Sequence, residues 1–183
     1  MKQEHSYAVK NVKTISGNEG CAWDASLYQD GKRVGLAHYD GWGGGVEYAG
    51  VPDDVMDDLR ALGALDYAAW CADQGTTYDG DSMGLEDIIV ENLVNDFIAA
   101  QDAKREQARM RRQATKDTLF VLEGEDENES YRFFRGVPYG PRVLFHCRKK
   151  YGEGVRVYVP SAGAWQPISE AIAPYEGQEA QTA

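Results

Sequence analysis

Hydrophobic and polar residues alternate along residues 21–39, which is typical of two half-buried β-strands. Asp30 and Gly31 divide this stretch, and such a pair favours a two-residue turn because both central residues need a positive φ. A hairpin with that turn places its apolar side chains on one face. The expected cross-strand pairs are Leu27 with Val34, Ala25 with Leu36, and Trp23 with His38. One face of the hairpin is therefore predicted to belong to a hydrophobic core.

Further strands are predicted on both sides of this hairpin, at residues 7–15 and 46–49. The segment DGWGGG, residues 40–45, lies between the hairpin and the last strand and contains four glycines. No Lys-Ser/Thr pair or helix start follows it directly, and Asp40 would repel an anion, so phosphate binding is disfavoured. We expect a bulge or tight corner, with Trp42 packing over it.

Apolar residues at helical spacing predict helices after the strands. Pro52 opens the first, since its missing N–H costs nothing at the first helical position. Gly63 is expected to end or bend this helix before a second helical piece at residues 65–73. The longest helix begins at Leu85 and becomes polar and basic between residues 102 and 116. Its apolar stripe consists of Leu85, Ile89, Leu93 and Phe97, widened by Ile88, Val94 and Ile98.

Shorter elements are predicted in the C-terminal part of the chain. Strands are expected at residues 119–122, 131–135 and 155–159. Residues 141–151 are best interpreted as a short helix, because Pro141 stands near its start and Gly152 is placed to cap its end. The alternating apolar residues of the same stretch leave a strand as the alternative.

These elements predict an α+β fold with an N-terminal antiparallel β-meander, packed helices, a long central helix and a small C-terminal ββαβ module. The expected domain limits are an acidic α+β domain at 1–100, a basic helical linker at 101–117 and the ββαβ module at 118–160. Residues 161–183 are expected to form a flexible tail.

Composition supports a globular protein, since 43% of the 183 residues are apolar and 11% are aromatic. No apolar run approaches the roughly 20 residues of a membrane-spanning helix, and the polar start does not resemble a signal peptide. The three cysteines, Cys21, Cys71 and Cys147, are far apart and lack metal-ligand spacing. We therefore expect a cytoplasmic protein without metal or cofactor.

The net charge of −11 is unevenly distributed. Residues 1–100 contain 6 Lys/Arg and 18 Asp/Glu, a net charge of −12, whereas residues 101–183 contain 13 and 12, a net charge of +1. An acidic surface of this size disfavours nonspecific nucleic-acid binding, which depends on cations that contact phosphates. It favours a partner protein or complex with a basic surface.

Four carboxylates of the first helix form one stripe opposite its apolar residues. They are Asp53, Asp54, Asp57 and Asp58. A solvated helix face that benefits from the helix dipole is one interpretation. The other is a recognition surface for a basic protein groove, with carboxylates that imitate DNA phosphates and with Trp42 as a further contact.

The basic part of the long helix offers an alternative site, for nucleic acid. Its cations are Lys104, Arg105, Arg109, Arg111 and Arg112. They are spread around the helix, and no aromatic residues lie between them to stack on bases. A solvent-exposed linker helix, or a homodimer contact with the acidic half of a second copy, explains the same pattern.

Catalytic residues are not predicted. The three histidines are His5 near the N-terminus, His38 in the hairpin and His146 beside Cys147. Neighbours in a regular helix or strand point in different directions, so His146 and Cys147 do not form a dyad. No known nucleophile, metalloprotease or phosphate-loop motif is present, and the pattern Asp79-Gly80-Asp81 is too short for a calcium loop. We therefore expect a binding protein and not an enzyme.

The motifs DGKRVG (residues 30–35), YDGWGGGVEY (residues 39–48) and KKYGEGVRVYV (residues 149–159) resemble segments of small proteins of bacteriophages and other mobile elements. The resemblance implies an accessory protein in the cytoplasm of a host cell and supplies no catalytic residues. Together with the acidic N-terminal half, it leads to the hypothesis of an inhibitor of a host defence or nucleic-acid-processing complex, similar to an anti-CRISPR protein. A structural or assembly protein is a further alternative.

Overall fold

The computed structural model describes residues 6–16, 21–78, 80, 84–127 and 130–176. The chain divides into two compact units, Met1–Asp102 and Ala103–Ala183. The predicted α+β fold is confirmed, with an antiparallel meander in the first unit and a second small sheet in the other. None of the helices in these ranges is long and apolar enough to cross a membrane.

Unit 1 consists of one four-stranded sheet and helices on one of its faces. The strands follow the order β1-β2-β3-β4 and are all antiparallel. They are β1 (Tyr7–Ser16), β2 (Cys21–Gln29), β3 (Lys32–Tyr39) and β4 (Glu47–Ala49). Helix α1 (Asp53–Asp73) and helix α2 (Leu85–Ala114) follow. The core lies between the sheet and these helices, where Trp23 and Leu27 pack with Leu59 and Val90.

The predicted turn is confirmed, but the predicted hairpin register is wrong. Asp30 and Gly31 both have positive φ values, of 49° and 79°. Counted from the turn, the two strands pair regularly as far as Tyr28, where a β-bulge shifts the register. Beyond it, Leu27 pairs with Gly35, Ala25 with Ala37, and Trp23 with Tyr39. His38 instead pairs with Asp24, on the side of the sheet that faces away from the helices.

The bulge has a packing reason. A side chain at position 35 would overlap Val51 Cγ2 and approach the carbonyl oxygen of Ala49 to 2.9 Å. Only glycine allows the chain to pass this close to the segment that follows β4. The insertion turns Ala37 and Tyr39 toward the core in place of Leu36 and His38. A second bulge interrupts β1 between Lys10 and Lys13, where Asn11 has a φ of 55°.

Helix α1 does not end at Gly63, contrary to the sequence-based expectation, and continues to Asp73. Gly63 is buried and lies against the start of α2. The approach is so close that a Cβ at this position would overlap the carbonyl oxygen of Leu85. The glycine therefore allows close packing of two helices and does not mark a helix end.

Unit 2 contains the predicted ββαβ order and continues beyond it. Its sheet has the order β6-β5-β7-β8 and is antiparallel throughout. The elements are β5 (Thr118–Val121), β6 (Arg132–Phe134), α3 (Pro141–Tyr151), β7 (Arg156–Val159), β8 (Ala164–Pro167) and α4 (Ile168–Ile172), with a 3₁₀ turn at Ala173–Tyr175. Residues 141–151 are thus a helix, and not a strand.

The prediction of a flexible tail at residues 161–183 is wrong for residues 164–175, because β8, α4 and the 3₁₀ turn belong to the fold. Residues 177–183 lie outside the described residues. Ile168 and Ile172 are fully buried in the core of unit 2, together with Leu144 and Val157. The long helix expected from Leu85 into the basic segment is present, and α2 ends at Ala114. Its residues from 103 onward fall in unit 2, and Ala114 is buried in a cluster with other residues of that unit, so this part of the helix is not a separate linker.

Candidate functional site

The acidic stripe lies on the first two turns of α1. Val55 and Leu59 point into the core, and this leaves Asp53, Asp54 and Asp57 exposed on the other side of the helix. The predicted exposure of the stripe therefore holds for three of its four carboxylates. We use the name acidic face for these three residues.

Asp58 differs from the other members of the stripe. It is half-buried, and the hydroxyl of Tyr7 donates a 2.7 Å hydrogen bond to its carboxylate. Burial and this hydrogen bond raise the pKa of the Tyr7 phenol above its ordinary value. Asp58 thus connects α1 to the edge strand β1, which is a structural role.

One cation lies beside the acidic face. Arg60, the only basic residue of α1, is 3.6 Å from Asp57. Its guanidinium donates two hydrogen bonds of 3.2 Å to Glu86 at the start of α2. Because Arg60 is held by Glu86, it neutralises the acidic face only in part. Among the described residues, no ion pair or hydrogen bond engages the side chain of Asp53 or Asp54.

Trp42 does not pack over a corner, as the sequence had suggested, because 72% of its surface is exposed. It lies in the loop between β3 and β4, where Gly41 and Gly43 have positive φ values of 81° and 83°. The backbone N–H of Trp42 donates to the side chain of Asp40 at 2.9 Å, which fixes the turn.

The structure does not bring Trp42 and the acidic face together. Gly41 lies against the backbone of Ala22, beyond the end of β3 at which Trp23 pairs with Tyr39. The segment that leads into α1 lies against Gly35, in the middle of the same strand. Trp42 therefore follows the end of β3, whereas the chain before Asp53 lies beside its middle.

Asp87, in the first turn of α2, holds the strand that follows the glycine-rich loop. Its carboxylate accepts hydrogen bonds from the backbone N–H of Val46 at 3.0 Å and from the hydroxyl of Tyr48 at 2.8 Å. Burial and these interactions raise the pKa of the Tyr48 phenol above its ordinary value. The stability that the neutral phenol contributes is fully present below the ordinary phenol pKa of about 10. It is lost as the pH rises toward the folded-state pKa.

We expect Asp87→Ala to destabilise unit 1 by about 2 kcal/mol, because it leaves two partly buried donors without an acceptor. Urea denaturation followed by circular dichroism measures this change. Asp96→Ala is the matched control, since Asp96 is an exposed carboxylate on the same helix. Equal stabilities of the two variants would contradict the assigned role.

The basic candidates for nucleic-acid binding are only partly accessible. Lys104 and Arg105 are exposed. Arg109 donates to Glu106 at 2.8 Å and to the hydroxyl of Tyr131 at 3.2 Å.

The other two basic candidates also have neighbours within the unit. Arg112 donates to the carbonyl of Ala108, and the guanidinium of Arg111 lies against Gly163. At least three of the five cations are thus engaged within unit 2, which weakens the case for a phosphate-binding helix face.

Sequence reasoning missed a depression in the sheet of unit 1, on the face that points away from the helices. It has a volume of about 480 Å³, and its lining includes Lys13, Ser26 and Glu47. His38 Nδ1 lies 2.7 Å from Asp24 Oδ1 within it. The signal for this face was Gly35, since glycine inside a strand pattern is typical of a bulge and therefore of a register shift.

Within the ranges that the structure describes, no group of three or more His, Cys, Asp or Glu side chains is placed to hold a metal ion. Comparison with models of protein families, with characterised proteins and with solved structures finds no match to this chain.

Proposed function

We propose that the protein acts by protein–protein binding and presents the acidic face to a partner with a basic surface. The observation that carries the proposal is the exposure of Asp53, Asp54 and Asp57 on one side of a helix whose other side is fixed in the core. Such carboxylates need little reordering when a partner binds, which lowers the entropic cost of association.

The charge of the surrounding unit supports this proposal. Residues 1–100 carry a net charge of −12, so a basic partner is attracted before contact and a polyanion is repelled. Attraction of this kind increases the association rate and weakens as salt is added. The exposed Trp42, in the loop between β3 and β4, is a separate contact point, since tryptophans are frequent energetic centres of interfaces.

We further propose that this chain is an accessory protein of a bacteriophage or mobile element. In that role it inhibits a host defence or nucleic-acid-processing complex. Complexes that bind nucleic acid have basic channels, and a surface of ordered carboxylates can occupy such a channel in place of phosphates. The resemblance of residues 30–35 and 39–48 to phage proteins supports this choice of partner.

We expect the triple variant Asp53→Asn/Asp54→Asn/Asp57→Asn to reduce partner recovery at least about tenfold, because each lost charge weakens a complementary contact. The measurement is affinity purification of the tagged chain from bacterial cells, after nuclease treatment and at two salt concentrations. The wild-type chain should retain a basic protein or complex that dissociates at high salt.

Glu91→Gln/Asp96→Asn is the matched control, since both carboxylates are exposed on α2. The proposal fails if the triple variant recovers the same partners in the same amounts as wild type. In a parallel purification without nuclease, recovery of nucleic acid in place of protein, lost on replacing Lys104 and Arg105 by alanine, would favour the alternative site on the basic helix.

A further inference from the structure

Unit 2 contains an apolar groove beside the start of α3, with a volume of about 660 Å³. This volume lies within the range of roughly 300–1,000 Å³ that is typical of ligand-binding pockets. The residues that line it include Phe134, Val137, Pro138, Tyr139, Val143 and His146. Val137 is 41% exposed, which is unusual for a valine beside other apolar side chains.

The walls of the groove are fixed before anything binds. Phe134 stacks on Phe120 at a centroid distance of 4.8 Å and contacts the ring of His146 edge-on at 5.7 Å. Val143 is buried in the underlying helix, and Pro138 and Pro141 restrict the loop that leads into it. A preformed apolar site of this kind binds a side chain at low entropic cost.

The surroundings of the groove are basic. Residues 130–152 contain six Lys/Arg and no Asp/Glu, in a chain whose net charge is −11. Two of the six, Arg132 and Arg148, are paired with Glu125 and Glu153 outside this segment. Arg142 lines the groove, and Arg135 follows the strand that forms one wall. An occupant that fits this site combines apolar side chains with neighbouring carboxylates.

The second half of α1 has this combination. Leu65 is 69% exposed and Trp70 is 55% exposed. Asp66 follows Leu65 directly in the sequence, and Asp73 lies one helical turn after Trp70. Trp70 is not loosely held, because its ring stacks on Tyr67 at 5.6 Å. Tyr67 in turn contacts Tyr78 edge-on at 5.5 Å. An ordered, exposed tryptophan flanked by carboxylates is a suitable anchor for a basic-rimmed groove.

We propose that the groove of one copy receives the Leu65–Trp70 segment of α1 from a second copy of the chain. The groove and the Leu65–Trp70 segment have opposite local charge. Each also presents apolar side chains that are exposed in the single chain. At physiological ionic strength the Debye length is about 8 Å, so repulsion between the acidic copies is screened more than the contacts within the groove. The contact uses the second half of α1 and is independent of the acidic face.

Sedimentation velocity over about a hundredfold range of concentration tests the proposal. The wild-type chain is expected to associate with increasing concentration. Trp70→Asp and Val137→Asp each place a carboxylate at an exposed position of one partner surface, and each variant alone should associate at least about tenfold more weakly.

A mixture of the two variants is the decisive measurement. Val137→Asp retains an intact α1 and Trp70→Asp retains an intact groove, so the mixture should form a one-to-one complex that neither variant forms alone. Ile15→Asp and Leu36→Asp are the matched controls, since these exposed apolar residues do not contribute to either surface. Both controls should associate like wild type.

Three results would overturn the proposal. These are a wild-type chain that stays monomeric, variants that associate like wild type, and a mixture that shows no complex. A single-stranded oligonucleotide added to the monomeric chain identifies the competing occupant. If it binds wild type but not Val137→Asp and the chain remains monomeric, the groove is a nucleic-acid site.

Discussion

The double variant Ile168→Ala/Ile172→Ala is expected to unfold much more easily than wild type, with a loss of at least about 4 kcal/mol from unit 2. Both side chains are fully buried in the core of that unit. Each truncation removes apolar contact and leaves a cavity, and typical costs are roughly 2–5 kcal/mol for a single isoleucine. The loss is a large part of the roughly 5–15 kcal/mol that stabilises a domain.

The thiol of Cys147 provides a measurement specific to unit 2. It is fully buried, and burial raises its pKa to about 11, so it should react slowly with a thiol reagent in the folded chain. The double variant should expose this thiol at lower urea concentration than wild type. Glu170→Ala, an exposed change in the same helix, is the control. If the double variant matches wild type, residues 164–175 do not contribute to the stability of the fold.

Gly63→Ala is expected to destabilise unit 1 by about 3 kcal/mol, the upper end of the usual cost of overpacking. A Cβ at this position overlaps the backbone carbonyl of Leu85, and a backbone atom cannot move aside as a flexible side chain does. Helix propensity alone predicts the opposite sign, since alanine is favoured over glycine in a helix by about 1 kcal/mol. The sign of the change therefore distinguishes helix packing from helix propensity.

Exposure of the Cys71 thiol during urea denaturation measures the effect in unit 1, because Cys71 is buried at the end of α1. Gly44→Ala is the matched control, since a Cβ there meets no atom within 4 Å. A Gly63→Ala variant that is as stable as wild type, or more stable, would contradict the close approach of α1 and α2.

Features that depend on local chemistry were predictable from the sequence. The turn follows from Asp30 and Gly31, because the positive φ values of a two-residue turn are a local requirement. Helix α3 follows from a proline at its first position and a glycine at its end. The exposure of Asp53, Asp54 and Asp57 follows from the spacing of the apolar residues on the same helix.

Features that depend on distant contacts were not predictable in the same way. The hairpin register depends on how closely Val51 approaches Gly35, and no local pattern states this distance. Strand β8 and helix α4 have only four and five residues, so their periodicity is too short to identify them. Their burial is decided by residues far away in the sequence.

The apolar groove was missed for the same reason, since its walls come from a strand, a loop and a helix. A signal was nevertheless present in the sequence. Residues 130–152 form the longest basic segment without a carboxylate next to several aromatic residues, and such a segment is typical of an interaction surface. The interpretation of the sequence instead assigned the basic surface to the helix at residues 101–117.

The bulge in β1 has a consequence for the behaviour of the chain at high concentration. β1 is the ten-residue edge strand of its sheet, and a straight edge of that length is a template on which other molecules can add strands and form fibrils. Asn11, with its left-handed backbone, breaks the row of free hydrogen-bonding groups, and Lys10 and Lys13 place charges on both sides of the break. An edge interrupted in this way is a poorer template for added strands than a straight one.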